Sequence, residues 1–266
     1  MIVIKYGGHA MDDKNGLFAR AVAEVINSGE QCIIVHGGGP QINLALESAG
    51  IQSEFRGGFR STSPQAFAIV QSVLSGEVLR ALVGQFRAVG INAVGLTGRD
   101  GGLIVAQKLT ELLDGTQVDL GQVGVVVRVD STILHTLLDD GFVPIVTPIA
   151  VSGNLVDEFS ATGLNVNADL AAAAIAGEMK ADSLLFLTDV AGIYRNWPDA
   201  SSIISSITAT ELFNMRGEFD GGMAPKVQAC LTAISSGAKS VRVIDGTDPE
   251  SFGLALRGIG GTLVIA

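Results

Sequence analysis

The chain has 266 residues, 47% of them hydrophobic, enough for one large domain or two lobes around a sizeable core, which excludes a disordered chain. Its 34 glycines follow no G-X-Y period, so collagen is excluded as well. With 17 Lys plus Arg against 27 Asp plus Glu the formal charge is −10, which argues against nucleic-acid or anionic-membrane partners and leaves room for a local cationic pocket only.

In chain order, a strand predicted at 2–6 ends on Lys5-Tyr6-Gly7-Gly8 and is followed by a helical pattern over 12–27. A second strand at 31–36 runs into His36-Gly37-Gly38-Gly39-Pro40, and a helix follows at 40–49. Arg60, in Gly57-Gly58-Phe59-Arg60-Ser61-Thr62, falls on a hairpin or loop ahead of a helix at 64–88. A strand at 92–97 leads into a segment, 99–129, whose strand patterns and turn residues suggest inserted antiparallel hairpins, the last strand being 123–129. Helix 131–139 and strand 143–147 come next. The polar run Gly163-Leu164-Asn165-Val166-Asn167-Ala168-Asp169 then opens an Ala-rich helix at 168–177. Strand 183–188 ends on Thr188-Asp189-Val190-Ala191-Gly192, and 196–206 is the most loop-like segment. Helices at 208–215, 222–235 and 249–256 and strands at 240–244 and 262–265 complete the chain. This alternation is that of an α/β fold with a mainly parallel open sheet.

Cys32 and Cys230 lie in separate apolar runs with no CxxC, so neither a disulfide framework nor a zinc site is supported. His9, His36 and His135 have no Cys or His neighbours, which argues against a protein-ligated transition metal. The start, MIVIKYGG, lacks a basic n-region and a long apolar h-region, and the longest uncharged apolar stretch, 141–156, is short for a membrane span and holds Pro144 and Pro148. The expectation is a cytoplasmic protein with neither membrane nor nucleic acid as partner.

Ligands of open parallel sheets bind beyond the carboxyl ends of the strands, and polar residues and glycines gather there in four of these strands. An isolated Lys5 would read as a lysine snorkelling to water; the two glycines behind it let backbone N–H groups face an anion instead. His36 to Pro40 is the strongest local signal. Three glycines leave a tight turn free of side chains, and Pro40 fits the first position of a helix whose N-terminus attracts anions. Asn167 reads as a plain N-cap with Asp169 in the first turn, which leaves Asn165 unexplained. Lys226, in the first turn behind Asp220-Gly221-Gly222, is unfavourable towards the helix dipole unless it faces an anion such as phosphate. Arg60 alone would be a solvated charge; beside an anion site it could clamp a carboxylate with two hydrogen bonds. No G-x-x-x-x-G-K-[ST], G-x-G-x-x-G or G-x-S-x-G occurs, which excludes a P-loop NTPase and leaves the dinucleotide fingerprint and the hydrolase nucleophile elbow without support.

Taken together, Lys5-Tyr6-Gly7-Gly8, His36-Gly37-Gly38-Gly39-Pro40-Gln41-Ile42-Asn43, Gly58-Phe59-Arg60-Ser61-Thr62, Asn165-Val166-Asn167-Ala168-Asp169, Thr188-Asp189-Val190-Ala191-Gly192 and Gly222-Met223-Ala224-Pro225-Lys226 resemble the amino acid kinase family over essentially the whole chain. The closest resemblance is to the branch that phosphorylates N-acetyl-L-glutamate. It implies a three-layer αβα sandwich of two lobes, with 1–178 binding the acylated amino acid and 179–266 binding MgATP. It implies transfer of the γ-phosphoryl group of ATP to the substrate's side-chain carboxylate, on the route to arginine or ornithine. By the same resemblance Lys5 and Lys226 would stabilise the transferring group, with Asp169 orienting both. Gly38, Gly39, Arg60 and Asn165 would hold the substrate. Gly7, Gly8, Asp189, Val190, Gly192, Tyr194, Glu218, Phe219 and Asp220 would line the nucleotide site, with Mg²⁺ held mainly by phosphates and water and no protein-built metal site.

One departure bears on substrate length: the family often carries Leu-Arg-Val-Thr where this chain has Phe59-Arg60-Ser61-Thr62. The alternative is a kinase for N-acetyl-aminoadipate, or for an amino acid on an acidic carrier protein, in lysine biosynthesis. Only Met1 to Ile4 precede Lys5, whereas arginine-sensitive members of the family have an extra helix there. The expectation is accordingly a homodimer that arginine does not inhibit; a regulatory partner protein is left undecided.

Overall fold

The computed structural model describes residues 1–7, 15–112, 114–153, 163–219 and 223–266. Along the chain run β1 (Ile2–Tyr6), α1 (Leu17–Asn27), β2 (Cys32–His36), α2 (Gly39–Ser48), the short pair β3 (Phe55–Arg56) and β4 (Phe59–Arg60), and α3 (Pro64–Ser72). A π-helical turn, Val73–Val78, joins α3 to α4 (Leu79–Ala88). There follow β5 (Ala93–Thr97), β6 (Ile104–Lys108), β7 (Val123–Val129), α5 (Thr132–Asp139), β8 (Val143–Thr147), β9 (Ile149–Ser152), β10 (Gly163–Val166) and α6 (Ala168–Glu178). The last part holds β11 (Ser183–Thr188), β12 (Ser206–Thr208), α7 (Ala209–Met215), α8 (Met223–Ser235), β13 (Ser240–Asp245), α9 (Pro249–Leu256) and β14 (Thr262–Ile265).

Every residue of β2 and β8 is buried, which is why these strands read as unbroken apolar runs. They belong to an eight-stranded sheet ordered β12-β14-β13-β11-β1-β2-β8-β5. All its pairings are parallel except β13 with β14. Phe18, Val22, Leu46, Val70, Leu82, Phe86 and Phe252, from α1, α2, α3, α4 and α9, pack on one face of the sheet. Leu134, Ala171 to Ala173, Leu212 and Val227, from α5, α6, α7 and α8, pack on the other. The outcome is the expected three-layer αβα sandwich. Alanines let α6 lie close to its neighbours, and Gly177 takes this furthest: a Cβ there would sit 2.3 Å from Ser236 Cβ at the end of α8. The segment Pro64–Ala88 is long and apolar enough by composition to cross a membrane. Here Val70, Leu74, Leu79, Leu82 and Phe86 from it are buried in the core.

β6 and β7 form the antiparallel pair expected within 99–129. The structure adds that β9 and β10, absent from the sequence-based reading, join them in a small closed barrel ordered β10-β7-β6-β9. Pro148 is the reason the described part of the apolar stretch, 141–153, is not one strand. It separates β8, which stays in the main sheet, from β9, which leaves it. The predicted start of the first helix, 12–14, lies outside the described residues.

β1 lies between β11 and β2 in mid-sheet; from β1 the chain builds the sheet to one side through β2, and from β11 it builds the other side with β12 to β14. This is the point where open α/β sheets offer a crevice. In register, Lys5 is opposite Val35 and Phe186, and Tyr6 is opposite His36, so the polar ends of these strands emerge along one edge.

Candidate active site

Lys5 Nζ lies 2.9 Å from Asp169 Oδ1, and both side chains are 13% exposed. Asp169 is placed by the cap before it: Asn167 Oδ1 accepts from the N–H groups of Asp169 at 2.8 Å and Leu170 at 3.3 Å. The contact is an ion pair, and among the described residues the buried Oδ1 accepts no directed hydrogen bond. Gly7 is required by this arrangement. Lys5 folds back over it, and a Cβ on residue 7 would come within 2.7 Å of Lys5 Nζ. Gly8 lies outside the described residues.

Next to this pair runs the glycine turn. Gly37 N–H donates to Tyr6 O at 2.9 Å, and Ile42 N–H donates to Gly38 O at 2.9 Å as α2 begins. A side chain at Gly38 would meet Leu74 Cδ2 at 2.5 Å and Val78 Cγ2 at 3.4 Å, both delivered by the π-helical turn. Gly39 faces open space. Neither Gly38 nor Gly39 donates its N–H to another group among the described residues.

These glycines line a cavity of about 180 Å³ together with Arg60, Asn165, Phe55, Leu74 and Ala168. Arg60 is 7% exposed. It hydrogen-bonds Ser53 Oγ and stacks its guanidinium over the Phe55 ring at 4.5 Å. Burial lowers its pKa from the ordinary arginine value, and it stays a cation at neutral pH. Asn165 Nδ2 donates to Thr62 Oγ1 at 3.3 Å, and Thr62 Oγ1 donates to Arg60 O at 2.7 Å, which ties β10 to β4. The hairpin tip, Gly57 and Gly58 with φ of 57° and 82°, packs on α8, where a Cβ at Gly58 would be 2.7 Å from Pro225 Cγ. Thus the arginine's hairpin abuts the helix that carries Lys226. A roomier groove of about 410 Å³ between β7, α6 and α8 is lined by Val125, Val129, Leu170 and Ala174 with Arg128 and Glu178, and it shares Phe59 and Asn167 with the smaller cavity.

Lys226 is half-buried in the first turn of α8, and no ion pair joins it to Asp169 among the described residues. Both charges nevertheless act on the buried Cys230 thiol, Asp169 raising its pKa and Lys226 lowering it, with burial the largest cause of its rise. The remaining expected residues do not line the 180 Å³ cavity. Asp189 is exposed after β11, where Val190 N–H donates to Thr188 Oγ1 at 3.1 Å. Gly192 is packed so that a Cβ would lie 2.6 Å from Thr262 Oγ1. Tyr194 is buried and meets Trp197 edge-on at 4.8 Å. Glu218 is exposed at the end of a short turn after α7, Phe219 is buried, and Asp220 lies outside the described residues.

Sequence reasoning missed Leu74, Phe55 and Thr62 as parts of this site. Leu74 reaches Gly38 through a π turn that leaves no mark in an apolar helical pattern. It also missed Thr147 as the partner of His36. His36 is fully buried, and burial pushes its pKa down to about 4 from 6.5. Above about pH 6.5 the ring is neutral in both folded and unfolded chains. As pH falls towards 4 the unfolded chain binds a proton that the folded one refuses, so stability is lost over that window. Urea unfolding between pH 7 and 4 should show the wild type losing up to about 3 kcal/mol more than His36→Leu. Parallel pH profiles for the two would show that His36 is not buried in the neutral form.

The model of the amino acid kinase family matches residues 1–245. Acetylglutamate kinase of Paenarthrobacter aurescens is 46% identical over 259 residues, covering 94% of this chain and 81% of that protein. Acetylglutamate kinase of Corynebacterium urealyticum is 44% identical over 265 residues, covering 98% and 84%. Among solved structures, carbamate kinase of Giardia superposes with a TM-score of 0.69 at 20% identity over 99% of this chain and 98% of that one, a likeness of fold. With a family model spanning nearly the whole sequence and relatives this similar over most of their length, the chain belongs to the amino acid kinase family.

Proposed function

We propose that the protein transfers the γ-phosphoryl group of ATP to the side-chain carboxylate of N-acetyl-L-glutamate, giving an acyl phosphate on the route to arginine or ornithine. The observation that carries this reading is the cavity that Arg60 and Asn165 line with Gly38 and Gly39, whose N–H groups have no acceptor among the described residues, at an α-helix N-terminus beside the Lys5–Asp169 pair. Its relatives named acetylglutamate kinase support the choice of acceptor.

In this reading the acceptor needs no general base, because its carboxylate is already ionised at neutral pH. It needs in-line placement and cancellation of negative charge. Arg60 holds the substrate's other carboxylate, Asn165 its acylamino group, and Gly38 and Gly39 donate to the oxygens between which the phosphoryl group moves. Lys5 and Lys226 neutralise that group from two sides. Asp169, already bound to Lys5 with lone pairs to spare, serves as organiser. Mg²⁺ enters as MgATP, with phosphate oxygens and water as ligands. ATP lies against the loop from Asp189 to Tyr194 and the turn at Glu218 and Phe219. Residues 1–178 then form the acceptor lobe and 179–266 the nucleotide lobe; β11 to β14, which make up one half of the sheet, all follow residue 178. A cytoplasmic homodimer belongs to the same reading: among the described residues β5 is an edge strand of the sheet, a place for a second chain to pack. Sedimentation giving the mass of a single chain would remove the dimer.

The test is ATP consumption with N-acetylglutamate, N-acetyl-aminoadipate, glutamate and aspartate as acceptors. Turnover should be fastest with N-acetylglutamate; preference for N-acetyl-aminoadipate would overturn the acceptor. Arg60→Lys should raise KM for N-acetylglutamate about 10- to 100-fold, since a point charge cannot replace a stacked, forked donor, and should leave KM for ATP within a few-fold. Equal losses for both substrates would place Arg60 in the nucleotide site or in the support of the fold.

A further inference from the structure

His36 is fully buried and makes two side-chain hydrogen bonds, Nδ1 to Gly37 O and Nε2 to Thr147 Oγ1, each at 2.7 Å. A carbonyl oxygen can only accept, so Nδ1 carries the proton. In the neutral ring Nε2 then accepts from the Thr147 hydroxyl, which fixes the tautomer. The Gly37–Gly38 peptide is trans, so its C=O and N–H point in opposite directions. With the Gly37 carbonyl held towards the ring, the Gly38 N–H points away from it. That N–H has no acceptor among the described residues although Gly38 is buried, and Gly38 lines the cavity with Arg60 and Asn165. A buried N–H left unpaired is costly and calls for an acceptor on a ligand.

A peptide between two glycines has no Cβ on either side to bias it, so its plane can rotate at little steric cost. The imidazole hydrogen bond is what selects one orientation. We propose that His36, held in one tautomer by Thr147, is a positioning residue that aims the Gly38 N–H into the acceptor cavity. This rests on the reading of that cavity as the acceptor site. His36 does not touch substrate; it acts through the peptide that does.

The experiment compares His36→Leu, His36→Asn, Thr147→Val and Thr147→Ser in the full chain. His36→Leu should lower kcat about 10- to 100-fold, less than outright loss of an oxyanion donor because the amide is misaimed rather than removed. KM for ATP should stay within about two-fold. His36→Asn, whose amide nitrogen can take the place of Nδ1, should recover most of the rate. Thr147→Val should lose more than Thr147→Ser, and this pair tests the proposal even if His36→Leu folds poorly. In ¹⁵N-labelled protein without substrates, the Gly38 amide resonance should move in His36→Leu and return in His36→Asn. Asparagine no better than leucine at equal folded fraction, or a Gly38 resonance indifferent to His36→Leu, would overturn the proposal. If the wild type does not turn over N-acetylglutamate, the acceptor reading fails separately, and the Gly38 resonance still decides the role of His36.

Discussion

Lys226→Ala is expected to lower kcat by about 10²–10³-fold, the cost of removing one preorganised charge donor from a developing oxyanion, while KM for either substrate changes far less. A lysine in the first turn of α8 opposes the helix dipole, so its placement is favourable only when an anion faces it. Among the described residues it forms no ion pair with Asp169, which is held by Lys5, so that carboxylate does not compete with a phosphoryl group for its charge. The hairpin tip that packs on Pro225 fixes the start of the helix relative to Arg60, so the lysine approaches the acceptor from a set direction. Steady-state kinetics with each substrate varied in turn checks this. A kcat within a few-fold of wild type, with KM for ATP alone raised, would make Lys226 a ground-state contact to nucleotide rather than a stabiliser of the moving group.

Asp169→Asn should also lower kcat by about 10²-fold or more, by a different route and without weakening nucleotide binding. The substitution keeps the shape at the N-terminus of α6 and its cap from Asn167, but removes the charge that holds Lys5. Lys5 then turns towards water and is no longer held above Gly7. The site also gains one positive charge, so KM for ATP should stay level or fall. The stability loss should be below the roughly 3–5 kcal/mol of a fully buried broken pair, because an ammonium 13% exposed can reach solvent. If KM for ATP rises and kcat does not change, Asp169 contacts the nucleotide or its metal instead of the lysines.

Much of this architecture was legible from local pattern. The predicted strands at 2–6, 123–129, 143–147, 183–188 and 262–265 coincide with β1, β7, β8, β11 and β14. Alternation of apolar runs with helical periodicity is enough to imply helices over both faces of a parallel sheet, since only a doubly covered strand can be apolar throughout. The cap at Asn167 and the glycine turn after β2 were equally readable, because a side-chain oxygen two or three residues ahead of free N–H groups, or a run of residues lacking Cβ, acts within a few positions of itself.

Contacts between distant positions were decided by the tertiary structure alone. Lys5 and Asp169 meet because β1 and the start of α6 pack side by side, and no local periodicity encodes that pairing. β9, parted from β8 only by Pro148, and β10, which carries Gly163 and Asn165, show no strand pattern of their own and become strands by closing a barrel with β6 and β7, where long-range hydrogen bonds outweigh weak local preference. The π turn that sets Leu74 against Gly38, and the Thr147 hydroxyl that fixes the His36 tautomer across β2 and β8, likewise depend on register between elements far apart in the chain. Short-range sterics and the hydrophobic pattern select the elements and their strand-end motifs; the aim of each polar group at the site is set only once packing brings those ends together.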